Sequence, residues 1–156
     1  MVAKTFENIS EAAQRFSGLS RKAFEYGMCQ MRIAERSRRA DYSEDEWDAL
    51  DEFVDKDKFE RVGNFKEVMS YDDMKAFLKK WCLTSTWEGS FKRVHEQDNV
   101  VILELEERNT YAGMTTIVNS VSVYEFNAAG KLEHLDVYLQ MAPMGGEGFP
   151  NEAYES

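Results

Sequence analysis

The stretch that decides the fold is residues 100–141, VVILELEERNTYAGMTTIVNSVSVYEFNAAGKLEHLDVYLQM. Apolar and polar residues alternate through it with a period of two, the spacing of β-strands that bury one face. Two short turn sequences, Ala112-Gly113 and Ala128-Ala129-Gly130, interrupt the alternation, and each is short enough for a hairpin. The stretch therefore predicts three consecutive antiparallel strands, over residues 100–111, 115–126 and 132–141.

The chain before this meander has mostly helical patterning. Apolar residues recur at intervals near 3.6 in segments that begin at Asn8, Ser20, Ser43 and Ser70, and the last two open with capping-box sequences. Residues 58–63 predict a short first strand, and residues 87–96 predict a further strand that opens the antiparallel meander, which then has four strands. Helices followed by strands favour an α+β fold, in which the helices cover one face of a curved, mostly antiparallel sheet.

The length of 156 residues is that of one domain. We assign residues 1–142 to this domain. From Pro143 onward the chain has no periodicity, and it holds both prolines and three of the nine glycines. This composition predicts a mobile C-terminal tail over residues 143–156.

The charge balance excludes several classes of partner. Twenty-nine acidic against nineteen basic residues give a net charge of −10, which repels both nucleic acid and anionic membrane surfaces. No apolar run is long enough for a membrane span or a signal peptide. Only two cysteines occur, Cys29 and Cys82, and we expect them to be free thiols in a reducing compartment. We therefore predict a cytoplasmic protein without nucleic-acid or membrane partners.

Alternation divides each strand into two faces. In residues 100–111, Val101, Leu103 and Leu105 oppose a mixed set, Ile102, Glu104, Glu106 and Arg108. In residues 132–141, Leu135, Val137 and Leu139 oppose another mixed set, Leu132, His134, Asp136, Tyr138 and Gln140. The mixed face is either solvated or the wall of a pocket that combines aromatic side chains with a few acids. Periodicity alone leaves both interpretations open.

Three strings carry a resemblance to a known family: Phe59-Glu60-Arg61-Val62-Gly63, Leu105-Glu106-Glu107-Arg108, and Gly130-Lys131-Leu132-Glu133-His134-Leu135-Asp136-Val137. Together they resemble the SnoaL-like branch of the nuclear-transport-factor-2-like superfamily. The last string is similar to that branch's Gly-Lys-Ile-x-Glu-His-Trp-Asp-Val segment, with one residue fewer after Gly130 and with Leu135 in place of Trp. The resemblance covers residues 20–141 and implies a cone-shaped α+β barrel with a deep apolar pocket.

The resemblance also implies a range of activities. Members of the superfamily include polyketide cyclases, ketosteroid isomerases, epoxide hydrolases, dehydratases and non-catalytic binding proteins. We expect a cofactor-independent lyase, isomerase or cyclase that acts on a hydrophobic, aromatic or polyketide-like molecule. The alternative is a small-molecule-binding or protein-interaction module of the same fold. Epoxide hydrolysis is less favoured, because Thr110 stands where those enzymes carry their second acid.

Asp136 is the expected general acid and base, because it matches the Asp on the last strand of the SnoaL-like branch. His134 would hold or share its proton, and Arg108 would stabilise negative charge on a substrate oxygen. The alternative for all three is a surface position, with Arg108 paired to Glu106. The expected substrate-binding residues are Glu60, Trp81, Glu106, Tyr111 and Tyr138, and Tyr26 and Trp87 are further candidates for the pocket lining.

No metal or cofactor is expected. The two histidines, His95 and His134, lie in different strands and lack the ligand spacing of a zinc site. The resemblance further implies a homodimer formed through the outer sheet face. Alternation assigns five residues to this interface, Val101, Leu103, Leu105, Val137 and Leu139.

Overall fold

The structure is a computed structural model that describes residues 7–141; the predicted tail, residues 143–156, lies outside the described residues. The strands are β1 Glu7–Asn8, β2 Glu60–Val62, β3 Val68–Ser70, β4 Ser85–Gln97, β5 Val100–Tyr111, β6 Met114–Phe126 and β7 Leu132–Gln140. The helices are α1 Ile9–Ala13, α2 Gly18–Arg36 and α3 Tyr71–Trp81, with a 3-10 helix over Glu44–Glu52.

All seven strands form one curved, unclosed sheet in the order β1-β4-β5-β6-β7-β2-β3. Strands β4 to β7 form the predicted antiparallel meander, and β2 adds to β7 in parallel. The predicted α+β class and the mostly antiparallel sheet are confirmed. Strands β1 and β3, of two and three residues, were not predicted.

Asn8, Ser43 and Ser70 cap their helices as predicted, whereas α2 begins at Gly18, two residues before the predicted start at Ser20. Ser43 with Glu46 and Ser70 with Asp73 each form a complete capping box. The segment after Ser43 is a 3-10 helix rather than an α-helix. Its two buried side chains, Trp47 and Leu50, are three residues apart, so a turn of three residues places both on the core side.

The sheet curves around the face that carries Val101, Leu103 and Leu105. These side chains are at most 6% exposed and pack into the core under the helices. On the opposite, convex face, Ile102 is 41% exposed and Tyr138 is 58% exposed. The helices need a continuous apolar surface to bury against, and only the first face supplies one. Of the two interpretations that periodicity left open for the mixed face, the structure favours the solvated one, and the apolar cavity described below lies on the other face.

A β-bulge in β7 changes which residues share a face. Phe126 of β6 pairs with Leu132 and Glu125 pairs with His134, so Glu133 has no partner of its own. This extra residue breaks the alternation, and Leu132 and Leu135 both point into the core. The assignment of Leu132 to the face of His134 is therefore wrong.

The five residues assigned to a dimer interface lie on the inner face. Val101, Leu103 and Leu105 are core residues, and Val137 and Leu139 line the cavity described below. They are therefore unavailable to an interface on the convex side, and the homodimer stays a prediction without them. Both cysteines are buried free thiols, and burial raises the pKa of Cys29 above its usual value. Within residues 7–141, no helix combines the length and apolarity needed to cross a bilayer.

Candidate functional site

A cavity of about 350 Å³ lies between the concave face of the sheet and helices α2 and α3. Its volume is in the range of small-molecule sites. Most of its wall is apolar, with Leu103, Leu105, Leu135, Val137 and Leu139 from the sheet and Met74, Phe77, Leu78 and Trp81 from α3. Phe77 is 47% exposed, which places it where the cavity meets solvent.

Few charged groups enter this cavity. Of the described residues that line it, Glu107 of β5 is the only carboxylate and Arg61 of β2 is the only cation. Two buried tyrosines join them, Tyr26 from α2 and Tyr124 from β6. Four separate elements thus direct one acid, one guanidinium and two hydroxyls into an apolar space.

Both tyrosines are held in their protonated form. Burial raises the pKa of Tyr26 above its usual value, and the neighbouring Tyr124 raises it further. Burial also raises the pKa of Tyr124, and the negative charge of Glu107 adds to that effect. Arg61 opposes both increases, so its charge acts on both hydroxyls. At neutral pH the two phenols are hydrogen-bond donors.

The Tyr26 hydroxyl has a weak acceptor. It donates to Met74 Sδ at 3.2 Å, and a thioether is a poor acceptor. A ligand oxygen that enters the cavity would be a better acceptor than this sulfur. The Tyr26 and Tyr124 rings meet edge to face with centroids 6.2 Å apart, which fixes the two hydroxyls relative to one another.

Glu107 is half-buried and is held through one of its two oxygens. Trp87 Nε1 donates a hydrogen bond to Glu107 Oε2 at 2.6 Å. The other oxygen, Oε1, has no hydrogen-bond partner among residues 7–141. The arrangement orients the carboxylate and leaves one oxygen available to accept a proton.

The structure brings His134, Asp136 and Glu60 together, but outside this cavity. His134 Nε2 lies 3.0 Å from Asp136 Oδ1, and His134 Nδ1 lies 3.6 Å from Glu60 Oε1. Arg61, Leu135 and Val137, which alternate with them along β2 and β7, line the cavity. All three side chains are therefore on the opposite, convex face. The prediction that Asp136 and His134 lie in the pocket is therefore wrong.

The remaining predicted residues are dispersed. Arg108 pairs with Glu106 at 3.1 Å and with Glu88 at 3.2 Å. It therefore occupies the ion-paired position that was the alternative to a substrate contact. Tyr111 and Tyr138 are 62% and 58% exposed and lie outside the cavity, as do Glu60 and Glu106. Of that predicted set, only Trp81 lines the cavity, together with the further candidates Tyr26 and Trp87.

Sequence reasoning missed Glu107, Arg61 and Tyr124. The available signal was that Glu107 continues the alternation of Val101, Leu103 and Leu105, so that a carboxylate ends an otherwise apolar face. Within residues 7–141, no group of three His, Cys, Asp or Glu side chains is arranged to hold a metal ion. Glu60 and Asp136 contact opposite nitrogens of His134 rather than a common point.

Comparisons with solved structures define the class of fold. A protein assigned to the SnoaL-like polyketide cyclases from Shewanella putrefaciens superposes with a TM-score of 0.66 at 9% identity, over 89% of this chain and 92% of that one. An NTF2-like protein of unknown function from Cytophaga hutchinsonii gives 0.57 at 13% identity, over 90% of this chain and 97% of that one. An LEH-like epoxide hydrolase from Mycobacterium tuberculosis gives 0.54 at 11% identity, over 72% of this chain and 84% of that one.

The chain therefore has the cone fold of the nuclear-transport-factor-2-like superfamily, and the resemblance to its SnoaL-like branch is confirmed for the fold. No protein-family model matches the sequence, and no curated protein matches it. At these identities the structural matches show the fold alone. What the cone does depends on the residues that line it.

Proposed function

We propose that the protein binds a hydrophobic small molecule in the cavity and moves a proton on it, as a cofactor-independent lyase, isomerase or cyclase. The observation that carries this proposal is Glu107, the one carboxylate that residues 7–141 contribute to the mostly apolar cavity, whose Oε1 has no hydrogen-bond partner among those residues. The same cavity holds two protonated phenols, Tyr26 and Tyr124. A base and hydrogen-bond donors in one enclosed space are the minimum for this chemistry.

In the proposed reaction, Glu107 Oε1 removes a proton from a carbon beside a carbonyl group. The electron pair of the broken C–H bond moves to the carbonyl oxygen, which becomes negatively charged. Tyr26 and Tyr124 donate hydrogen bonds to that oxygen, and the nearby charge of Arg61 stabilises it further. The protonated Glu107 then returns the proton to another position or to a leaving group. Apolar walls strengthen each of these interactions by excluding water.

The lining favours an aromatic or polyketide-like substrate. Flat rings fit beside Trp81 and Phe77 near the opening, and the branched side chains of β5 and β7 form the floor. Two structural neighbours assigned to the SnoaL-like polyketide cyclases support the same class. Epoxide hydrolysis receives less support, since the cavity holds one carboxylate from residues 7–141 rather than two.

A generic test of a buried carboxylate base needs no natural substrate. In 5-nitrobenzisoxazole, a base removes the ring C–H proton, the N–O bond breaks, and a coloured cyanophenolate is released. We expect the wild-type protein to accelerate this reaction above the rate with free acetate. Glu107→Gln should lower that rate about a hundredfold, the usual contribution of a positioned base. Replacing both Tyr26 and Tyr124 by Phe should also lower the wild-type rate, because the product phenolate loses its hydrogen-bond donors.

Asp136→Asn is the matched control for Glu107→Gln. It removes a strand carboxylate of similar burial from the convex face, where it faces His134 rather than the cavity. We expect its rate to equal that of the wild type. Equal rates for wild type and Glu107→Gln would contradict the proposal. Loss of activity in Asp136→Asn would identify Asp136 as the base, as the sequence predicts.

The second candidate function is binding without chemistry, which the same apolar cavity supports. In that case naphthol-type probes would bind in the cone and shift the unfolding temperature, while wild type and Glu107→Gln would convert the benzisoxazole no faster than acetate does. Measuring binding and turnover on the same samples separates the two functions.

A further inference from the structure

We infer that Trp87 is the positioning and specificity-determining residue of this cavity: its indole N–H fixes Glu107, and its ring closes the cone toward a second, polar groove. The part of this inference that concerns catalysis rests on the proposed function. The part that concerns ligand size does not.

The first observation is the contact between the two side chains. Trp87 of β4 pairs across the ladder with Asn109 of β5, and the next inward pair is Gly89 with Glu107. Trp87 and Glu107 are therefore diagonal neighbours on the concave face. The bond of 2.6 Å between Nε1 and Oε2 is short because it is charge-assisted.

The second observation is the space that the indole occupies. A Cβ placed on Gly89 would lie 2.7 Å from Cη2 and 2.9 Å from Cζ2 of Trp87, closer than carbon atoms approach. The ring thus lies across the bare backbone of Gly89, the residue that pairs with Glu107 across the ladder. Gly89 is required here for close approach, since its own backbone is ordinary strand. Any side chain at position 89 would push the indole away from the carboxylate.

The third observation is that Trp87 separates two spaces. Together with Met31 it lines both the apolar cavity and an outer groove of about 380 Å³. The outer groove lies between the C-terminal end of α2 and strands β4 to β6. The rest of its lining is mostly polar, with Glu35, Arg38, Thr86, Glu88, Arg108 and Thr110. The Trp87 ring is therefore the wall between an apolar space and a polar one.

These contacts predict a specificity rule. A ligand that fits inside the cone is apolar to its end, because Trp87 and Met31 stop it before the outer groove. If the ring were removed, a longer ligand would extend past position 87 and its far end would meet charged and hydroxyl groups. The wild-type protein therefore selects compact hydrophobic molecules over elongated ones.

The positioning role is tested by the indole N–H proton resonance and by the benzisoxazole rate. In the wild type we expect the Trp87 resonance, assigned by its loss in Trp87→Phe, to be shifted far downfield by the carboxylate. Both Glu107→Gln and Gly89→Ala should move it upfield, and the resonance of Trp47, which donates to Tyr42, should stay in place as the internal control. Trp87→Phe keeps a ring in place without the N–H and should lower the benzisoxazole rate at least tenfold.

The partition is tested with 4-alkylphenols from ethyl to dodecyl, using displacement of a fluorescent naphthalene probe. In the wild type, affinity should rise about fourfold for each buried methylene group and then stop rising where the chain meets Trp87. Trp87→Ala should move that limit to longer chains, and Trp87→Phe should leave it unchanged.

The two variants separate the roles of the indole. An unchanged limit in Trp87→Ala would overturn the partition. If the Trp87 indole resonance does not move in Glu107→Gln, or if Trp87→Phe keeps the wild-type benzisoxazole rate, Trp87 does not position Glu107. If the wild-type protein has no benzisoxazole activity, the proposed function fails, while the resonance and the alkylphenol series still decide the inference.

Discussion

Ser120 is a buried serine on the concave face, opposite Leu105 of β5 and Leu139 of β7. It is 1% exposed, and its Oγ is the one buried side-chain oxygen or nitrogen of residues 7–141 that has no hydrogen-bond partner. An unsatisfied buried hydroxyl opposes folding, because it loses its hydrogen bonds to water without replacement.

We expect Ser120→Ala to raise the free energy of unfolding by about 1 kcal/mol, since the variant buries a methyl group without the desolvated oxygen. Urea denaturation of both proteins measures the difference. Ser20→Ala is the control: that buried serine does have a partner, Glu96, and its loss should destabilise the protein. A loss of stability in Ser120→Ala would mean that its hydroxyl is hydrogen-bonded in solution.

The N-terminus of α2 is stabilised from outside the helix. Within the described residues, the side chain of its own N-cap residue, Ser17, makes no capping hydrogen bond. Instead, the carboxylate of Glu96 in β4 accepts bonds from Ser20 N at 2.9 Å and Ser20 Oγ at 2.6 Å. A negative charge at this end also complements the helix dipole. The contact fastens the helix that carries Tyr26 to the strand that carries Trp87.

These bonds predict a pH dependence of stability. The Ser20 side chain, followed by its backbone N–H, holds the pKa of Glu96 below the usual value. A lowered folded-state pKa stabilises the protein above the unfolded-state pKa of about 4.3, and that stabilisation is lost as the pH falls further. Glu96→Gln should therefore be less stable than the wild type by about 0.5 kcal/mol at pH 7. Unfolding curves between pH 3 and pH 7 should show the gap closing on acidification, and a constant gap would argue against the ionic cap.

At the scale of the whole molecule, the direction in which the sheet curves decides which residues form the core. Leu103 and Ile102 are neighbours in β5, yet they are 1% and 41% exposed. Leu103→Ala should destabilise the protein by about 2–5 kcal/mol, as expected for truncation in a packed core. Ile102→Ala should cost less than about 1 kcal/mol. Thermal unfolding of the two variants shows which face of β5 is buried. A greater loss of stability in Ile102→Ala than in Leu103→Ala would mean that the helices cover the other face.

The element types were largely predictable because they depend on local patterns. The period of two located β4 to β7 to within two residues, and the capping boxes at Ser43 and Ser70 located two helix starts. The candidate site was much less predictable. Its acid, Glu107, lies six residues from Val101 in a strand, whereas its phenols come from α2 and β6. Only the packing of helices on the sheet brings these groups to one space.

The sequence by itself determined an acidic α+β domain with a four-stranded meander and the likeness to the SnoaL-like branch. It also determined that each strand has one apolar and one mixed face, because side chains alternate along any strand. It left open which face turns inward, since an apolar face can be buried under helices or against a second molecule. The tertiary structure decided that question by laying α2 and α3 over Leu103 and Leu105 and by inserting a bulge at Glu133. As a result, Asp136 lies on the convex face and Glu107 lines the cavity.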